Sequence, residues 1–118
     1  MSVWVFLAIA VAGGLGAVAR MILDTVITAR VGGAFPWGTL AINVLGSFAL
    51  GLLMGQGSAH VLLIAGAGLL GGFTTFSTAS LETVRLLAGD RPLLGVVQGG
   101  TMLFACCLAA GLGLVFGA

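Results

Sequence analysis

The stretch that decides the fold of this chain is residues 71–78, which read Gly-Gly-Phe-Thr-Thr-Phe-Ser-Thr. It lies in the middle of an apolar segment that extends from about residue 61 to residue 87. Two glycines followed by hydroxyl-bearing and aromatic residues disfavour an uninterrupted helix. Inside a bilayer, backbone groups freed by such a break survive only where they are buried in protein or line a polar cavity. The stretch therefore predicts a broken helix with an ion or substrate site near the bilayer midplane.

The composition indicates whether this chain is surrounded by water or by lipid. Of its 118 residues, 60% are hydrophobic and only 6% are charged, whereas a soluble domain has about 25% charged residues. No Asp, Glu, Lys or Arg occurs between Arg30 and Glu82, or after Arg91. Both intervals exceed the roughly 20 residues that a helix needs to cross a bilayer. The composition predicts an integral, multi-pass protein of the cell membrane.

The hydrophobic pattern predicts an all-α membrane protein built as one domain over residues 1–118. Four transmembrane helices are expected at about 3–23, 37–54, 60–87 and 93–116, with the third helix broken over 71–78. Pro36 and Trp37 should open the second helix, because proline is tolerated in a first turn and tryptophan favours the membrane interface. Asp24 and Arg30 are expected in the loop before it.

Arginines mark one face of the expected bundle. Four crossings place both termini on one side, and the opposite side carries the arginines of the first and third loops and of the adjoining helix ends: Arg20, Arg30, Arg85 and Arg91. Because positive residues tend to stay in the cytoplasm, this distribution predicts both termini outside it. The bias is modest, since Arg20 and Arg85 can belong to helices.

No catalytic constellation occurs in the sequence. The chain has one histidine, His60, and its three acids lie at or near expected helix ends rather than as a pair. Cys106 and Cys107 are adjacent in the last apolar segment, where we expect them to pack as small apolar groups. The net charge of +1 comes without a basic run. We therefore expect neither an enzyme nor a nucleic-acid partner.

Two polar residues within the apolar segments each have two interpretations. Asn43 lies in the second helix, where a buried amide needs a hydrogen-bond partner. It can bridge helices, or its NH2 group can face a permeating anion. Arg20 ends the first helix and can either extend to the membrane interface or line an electropositive vestibule that attracts anions.

The broken helix suits a small ion. Half-helix N-termini with hydroxyl or amide donors favour an anion, and carbonyls exposed by the break favour Na+. Phe76 adds a ring whose positive edge can meet an anion. Glu82 follows the break in the first turn of the next helix. It is expected to be structural, because a carboxylate there is stabilised by the positive end of the helix dipole. Gln98 and Thr101 share one face of the fourth helix, as interhelical hydrogen-bonders or as a polar track.

Three motifs extend over essentially the whole chain. They read Gly13-Gly14-x-Gly16-Ala17-x-x-Arg20, then Gly38-Thr39-Leu40-x-x-Asn43-x-x-Gly46-Ser47, and finally Gly71-Gly72-x-Thr74-Thr75-Phe76-Ser77-Thr78 followed by Glu82. In order and spacing they resemble the Fluc/CrcB family of fluoride channels, and the third motif carries the resemblance most specifically.

The resemblance implies an antiparallel dimer with two pores that passes F− passively out of the cytoplasm and so reduces fluoride toxicity. It implies a structural Na+, not itself transported, on the dimer axis, held by backbone carbonyls that fall here on Gly71 and Thr74 of both subunits. Asn43 matches the family's pore amide, Phe76 its first pore phenylalanine and Arg20 its vestibule arginine. Further candidates for hydroxyl groups along the ion path are Ser77, Thr78 and Thr101.

One position departs from the family pattern. The pattern usually continues Phe-Ser-Thr-Phe, whereas this chain has Ala79 after Thr78, so the second pore phenylalanine is missing. A homodimer would lack this ring in both pores. Some family members work as pairs of different subunits with opposite orientations. A homodimer and a heterodimer with a homologous subunit are therefore both open.

Two other functions are compatible with the sequence. A small proton-coupled multidrug exporter can also be an antiparallel dimer of four-helix subunits, but its chemistry needs a carboxylate within the membrane, and residues 3–19 offer none. A non-conducting partner or assembly subunit is supported only by the alanine at position 79.

Overall fold

The computed structural model describes residues 2–33 and 35–118. Within these residues, four helical segments are long and apolar enough to cross a membrane, namely Val3–Val31, Trp37–Gln56, Ala59–Ala88 and Pro92–Gly117. The predicted all-α class with four membrane helices is confirmed. The chain is a multi-pass membrane protein.

The first helix, α1 (Val3–Val31), continues beyond the end that the sequence predicted at about residue 23. Asp24 and Arg30, expected in a loop, lie within this helix. The first residue with a backbone conformation that L side chains rarely adopt is Gly32, at φ 65°. The helix therefore ends at a glycine rather than at the first polar side chain, because polar residues at a helix end are tolerated near the membrane surface.

The second and last membrane helices begin at prolines, where the missing N–H costs no helical bond. Helix α2 (Trp37–Gln56) follows directly on Pro36, as the sequence predicted. The last helix, α6 (Pro92–Gly117), has its proline in the first turn.

The third membrane segment consists of several pieces. Helix α3 (Ala59–Val61) leads into a π-helix (Leu62–Leu70), and α4 (Gly71–Phe73) and α5 (Ser77–Ala88) follow. Residues 74–76, between α4 and α5, are not helical, and Thr74 is extended at φ −77° and ψ 159°. The non-helical residues are fewer than the predicted 71–78, because the two glycines continue the preceding helix in an ordinary helical conformation.

Glycines let α2 and α6 approach each other at backbone distance. A Cβ on Gly113 would lie 3.0 Å from Leu52 N, and one on Gly55 would lie 2.6 Å from the Gly117 carbonyl carbon. Gly51 contacts the same stretch of α6. Two pairs of glycines spaced four apart, one pair on each helix, therefore form a single interface of the small-residue type common in membranes.

Few apolar side chains are buried in the part of the chain that the structure describes. They are Ile42, Ala79 and Ala109, whereas large side chains such as Trp4 and Phe104 are exposed. Lipid tails are as apolar as leucine, so helices in a membrane gain little by burying such side chains against one another. Close packing of small residues takes over that role.

Gly113→Ala tests the α2–α6 contact. The added methyl would meet backbone atoms of α2 that cannot turn aside, so we expect the free energy of unfolding to fall by about 1–3 kcal/mol. Gly111→Ala is the matched control, because among the described residues no atom beyond its own stretch of helix lies within 4 Å of its Cβ position. Thermal unfolding in detergent compares the two variants. Equal midpoints would contradict the close approach.

Candidate functional site

The face of α1 that carries Gly13 and Gly16 receives α4 at backbone distance. A Cβ on Gly16 would lie 2.9 Å from Phe73 N, and one on Gly72 would lie 2.8 Å from the Gly13 carbonyl carbon. Because the neighbours are backbone atoms, only glycine fits at these contacts. This packing fixes the last helical turn before the non-helical residues 74–76.

Arg20 follows on the same face of α1, one turn beyond Gly16. Its Nε–H donates to the Gly72 carbonyl at 3.4 Å, and the side chain is half-buried. A cation at the C-terminal end of a helix is attracted by the negative end of the helix dipole. It can also donate a hydrogen bond to a carbonyl that has lost its helical donor. Arg20 therefore lies against the end of α4.

Asn43 holds the peptide groups of Thr75 from both sides. Its Nδ2 donates to the Thr75 carbonyl at 2.8 Å, and its Oδ1 accepts from the Thr75 N–H at 2.9 Å. The Asn43 side chain is only 9% exposed. In a low-dielectric environment such a pair of bonds replaces those that a continuous helix would have supplied. Asn43 thus connects α2 to the third membrane segment, as the first of its two interpretations predicted.

Hydroxyl groups satisfy the backbone on either side of the non-helical residues. Thr74 Oγ1 donates to the Leu70 carbonyl at 2.9 Å. Thr75 Oγ1 accepts from the Thr78 N–H at 3.2 Å, which caps the first turn of α5 in the manner of an N-cap threonine. The two threonines thus end one helix and start the next.

The Gly71 and Thr74 carbonyls, the expected Na+ ligands, have left the helical ladder. In a continuous helix the Thr75 N–H would donate to Gly71 O, but here it donates to Asn43, and Thr74 is extended. Among the described residues no group of three or more His, Cys, Asp or Glu side chains could hold a metal. Backbone oxygens of this kind suit Na+, so the residues present fit such an ion.

A cavity of about 670 Å³ opens beside these groups. Asn43, Gly71, Thr74 and Phe76 line it, together with parts of α5 and α6. Phe76, which is 86% exposed, brings an aromatic ring to this lining. The cavity therefore combines an amide, an aromatic ring and carbonyls that are free of helical bonds.

The remaining sequence-predicted residues lie outside the cavity lining. Ser77 is exposed and Thr78 is half-buried, both in the first turn of α5. Thr101 is exposed on α6 and does not line the cavity, whereas Gln98 and Met102 on the same helix do. The structure brings Asn43 and Phe76 together, but it does not bring Thr101 to them.

Sequence reasoning missed one polar pair in this region. Thr39, which is 2% exposed, donates through its hydroxyl to Glu82 Oε1 at 2.6 Å. The pair joins α2 to α5. The sequence assigned Glu82 to the helix dipole alone. The spacing of Thr39 and Asn43, four residues apart on one face of α2, is the signal that could have identified it.

Gln98, which the sequence offered as an interhelical hydrogen-bonder or as part of a polar track, bonds from α6 to α5. Its side chain is 1% exposed, and its Nε2 has no hydrogen-bond partner among the described residues. Its Oε1 accepts from the Thr83 hydroxyl, which also contacts the Ala79 carbonyl at 2.8 Å. The Thr83 hydroxyl has one hydrogen and cannot donate to both acceptors. If the oxygen and nitrogen of the Gln98 amide exchange places, Nε2 donates to the Thr83 oxygen while Thr83 donates to the Ala79 carbonyl. Ala79 itself is buried, at 8% exposure.

The sequence is similar to a known family over almost its full length. Residues 7–114 match the family described as "CrcB-like protein, Camphor Resistance (CrcB)". The chain is 49% identical over 122 residues to "Fluoride-specific ion channel FluC 1" of Leifsonia xyli subsp. xyli, covering 99% of this chain and 89% of that relative. It is 43% identical over 115 residues to "Fluoride-specific ion channel FluC" of Magnetococcus marinus, covering 92% and 94%.

Thr39→Val tests the contact between α2 and α5. Valine keeps the shape of threonine but leaves the half-buried Glu82 carboxylate without this donor, so we expect the free energy of unfolding to fall by about 1–2 kcal/mol. Thr25→Val is the control, because Thr25 is exposed and its hydroxyl only returns to the Met21 carbonyl of its own helix. Thermal unfolding in detergent measures both. A loss in the control as large as in Thr39→Val would refute the assigned role.

Proposed function

Since this chain belongs to the CrcB-like protein family, we propose that it is a fluoride-specific ion channel through which F− leaves the cytoplasm down its gradient. Such passive export would reduce fluoride toxicity. The names of its relatives as fluoride-specific ion channels, and the match over nearly their whole length, support a channel rather than an enzyme. The family also argues against the multidrug exporter that was open from the sequence.

The observation that carries this proposal is the cavity at residues 74–76. The Asn43 amide, the exposed Phe76 ring and the N-terminal end of α5 meet there. The ring edge and the end of the dipole present positive charge density, and the amide adds the one Nδ2 hydrogen that faces only the weak acceptor Met102 Sδ. Such donors suit a small, strongly hydrogen-bonding anion better than a cation or an apolar solute.

The path of F− would run past Asn43 and Phe76, with Ser77, Thr78 and Thr101 as further hydroxyl donors. Ser77 and Thr101 are exposed in the single chain, so they would join the path where a second subunit packs. Arg20 would line the vestibule, although its Nε–H is already engaged with Gly72 O. Its remaining guanidinium N–H groups would still attract anions.

The active unit would be an antiparallel dimer in the lipid bilayer. An 86% exposed phenylalanine and a cavity open on one side of the chain support a partner at this surface. The residues near the centre of the third segment would then lie near the bilayer midplane. The partner would be a second copy of the chain or a homologous subunit in the opposite orientation.

A structural Na+, which is not transported, would lie at the dimer centre. The Gly71 and Thr74 carbonyls of both subunits would hold it, since both residues line the cavity and have left the helical ladder. The ion would supply positive charge where two subunits bring carbonyl oxygens together.

A non-conducting partner subunit is the second candidate function. Its support is Ala79, which offers no aromatic ring to a pore and is buried beside Thr83. In a pair with a homologous subunit, the second chain would then supply the missing ring.

Fluoride efflux from proteoliposomes tests the proposed function. With a potassium ionophore present to balance charge, we expect rapid F− release and, at equal concentration, Cl− release no faster than from empty vesicles. The measurement is made on the chain alone and with a co-expressed homologous subunit. Absence of F− release in both preparations would overturn the channel function, whereas release only with the subunit would favour the heterodimer.

Phe76→Leu tests the aromatic contribution. Leucine keeps an apolar side chain but loses the ring edge, so we expect F− efflux to fall by about tenfold or more, which corresponds to about 1.4 kcal/mol. Phe6→Leu is the matched control, because Phe6 is an exposed ring on α1 outside the cavity lining. Efflux is compared at equal amounts of folded protein. Unchanged efflux in Phe76→Leu would remove the ring from the path.

A further inference from the structure

The amide of Asn43 makes its two firm hydrogen bonds to the backbone of a single residue. Oδ1 accepts from the Thr75 N–H at 2.9 Å, and Nδ2 donates to the Thr75 carbonyl at 2.8 Å. The second Nδ2 hydrogen is directed towards Met102 Sδ at 3.5 Å, a weak acceptor. The two firm hydrogen bonds of this side chain therefore both go to the backbone between α4 and α5.

The Thr75 N–H that Asn43 binds is the natural donor for Gly71 O. In an α-helix each N–H donates to the carbonyl four residues earlier. The preceding pair follows that rule, because the Thr74 N–H donates to the Leu70 carbonyl at 2.9 Å. The ladder stops one residue later, where Oδ1 of Asn43 takes the next N–H. The Gly71 carbonyl thereby loses its helical donor.

From this geometry we infer that Asn43 is a positioning residue for the cation site, because it keeps the Gly71 carbonyl free of its helical donor. The inference rests on the proposed Na+ at the dimer centre and gives Asn43 a task besides that of an anion donor. A carbonyl that accepts no hydrogen bond directs its full negative charge at a cation. One that accepts the Thr75 N–H has part of that charge neutralised.

Removing the amide has two possible outcomes for the Thr75 N–H, and both are expected to weaken Na+ binding. Without Oδ1, the half-buried Thr75 N–H either returns to the Gly71 carbonyl or is left without an acceptor, and an unpaired N–H away from water is costly. The first outcome extends α4 by one residue and occupies the proposed ligand. The second leaves the Thr75 peptide without the bond that holds its N–H away from Gly71, so Na+ binding is expected to weaken in this case as well.

The test measures how Na+ stabilises the purified dimer. Thermal unfolding is followed in a buffer of a large organic cation while Na+ is added, and the Na+ concentration for half of the stabilisation is recorded. We expect Asn43→Ala to raise that concentration by about tenfold or more, equivalent to about 1.4 kcal/mol. Gln98→Ala is the matched control, since it truncates another buried carboxamide that lines the same cavity and does not contact Thr75.

A second variant separates the hydrogen bond from packing. Asn43→Asp keeps an oxygen opposite the Thr75 N–H in either protonation state, so its Na+ requirement is expected to lie closer to wild type than that of Asn43→Ala. An Asn43→Ala dimer with the Na+ requirement of wild type, whatever its F− efflux, would overturn the positioning role. So would failure of this variant to form a dimer even in saturating Na+, which would show a general role in folding.

The wild-type titration distinguishes this inference from the proposal on which it rests. A wild-type dimer whose unfolding is indifferent to Na+ would refute the Na+ site itself, and with it the inference. A clear Na+ dependence in wild type that is equally strong in Asn43→Ala would refute the inference alone.

Discussion

The constraint on which this structure depends is that a bilayer offers no water to a backbone group that has left its helix. Residues 74–76 leave the helical ladder within a membrane segment, so their peptide groups need partners from elsewhere in the chain. Asn43 serves both peptide groups of Thr75 and Arg20 serves the carbonyl of Gly72. Each lies on a different helix, so α1 and α2 must be in place for the third segment to adopt its observed conformation.

Glycines make that arrangement possible, because the polar side chains reach their targets only when the backbones are close. Gly13 and Gly16 bring α1 within backbone contact of α4, and one turn later on that face Arg20 meets Gly72 O. Large apolar side chains such as Trp4 and Phe104 are exposed. The same packing therefore positions the polar groups while the large apolar side chains stay on the outside.

The sequence predicted the class and the number of membrane helices, because both follow from the length of apolar runs. It also selected the residues that flank the non-helical stretch, since glycine, threonine and asparagine within such a run have few other uses. It did not predict that Gly71 and Gly72 stay helical, or that Thr39 pairs with Glu82. Those features depend on which side chain competes for a given peptide group, and that competition is decided by tertiary distance rather than by local propensity.

Separating α4 from α5 creates two charged ends that a continuous helix would not have. The C-terminal end of α4 presents carbonyls and partial negative charge, whereas the N-terminal end of α5 presents N–H groups and partial positive charge. A cation is favoured at the first end and an anion at the second, so one interruption can serve both proposed ions. Asn43 stands between them, because its Oδ1 withdraws a donor from Gly71 while its Nδ2 satisfies the carbonyl that leads into α5. The two proposed ion sites would thus share one carboxamide, which bonds to the peptide groups between the two helix ends.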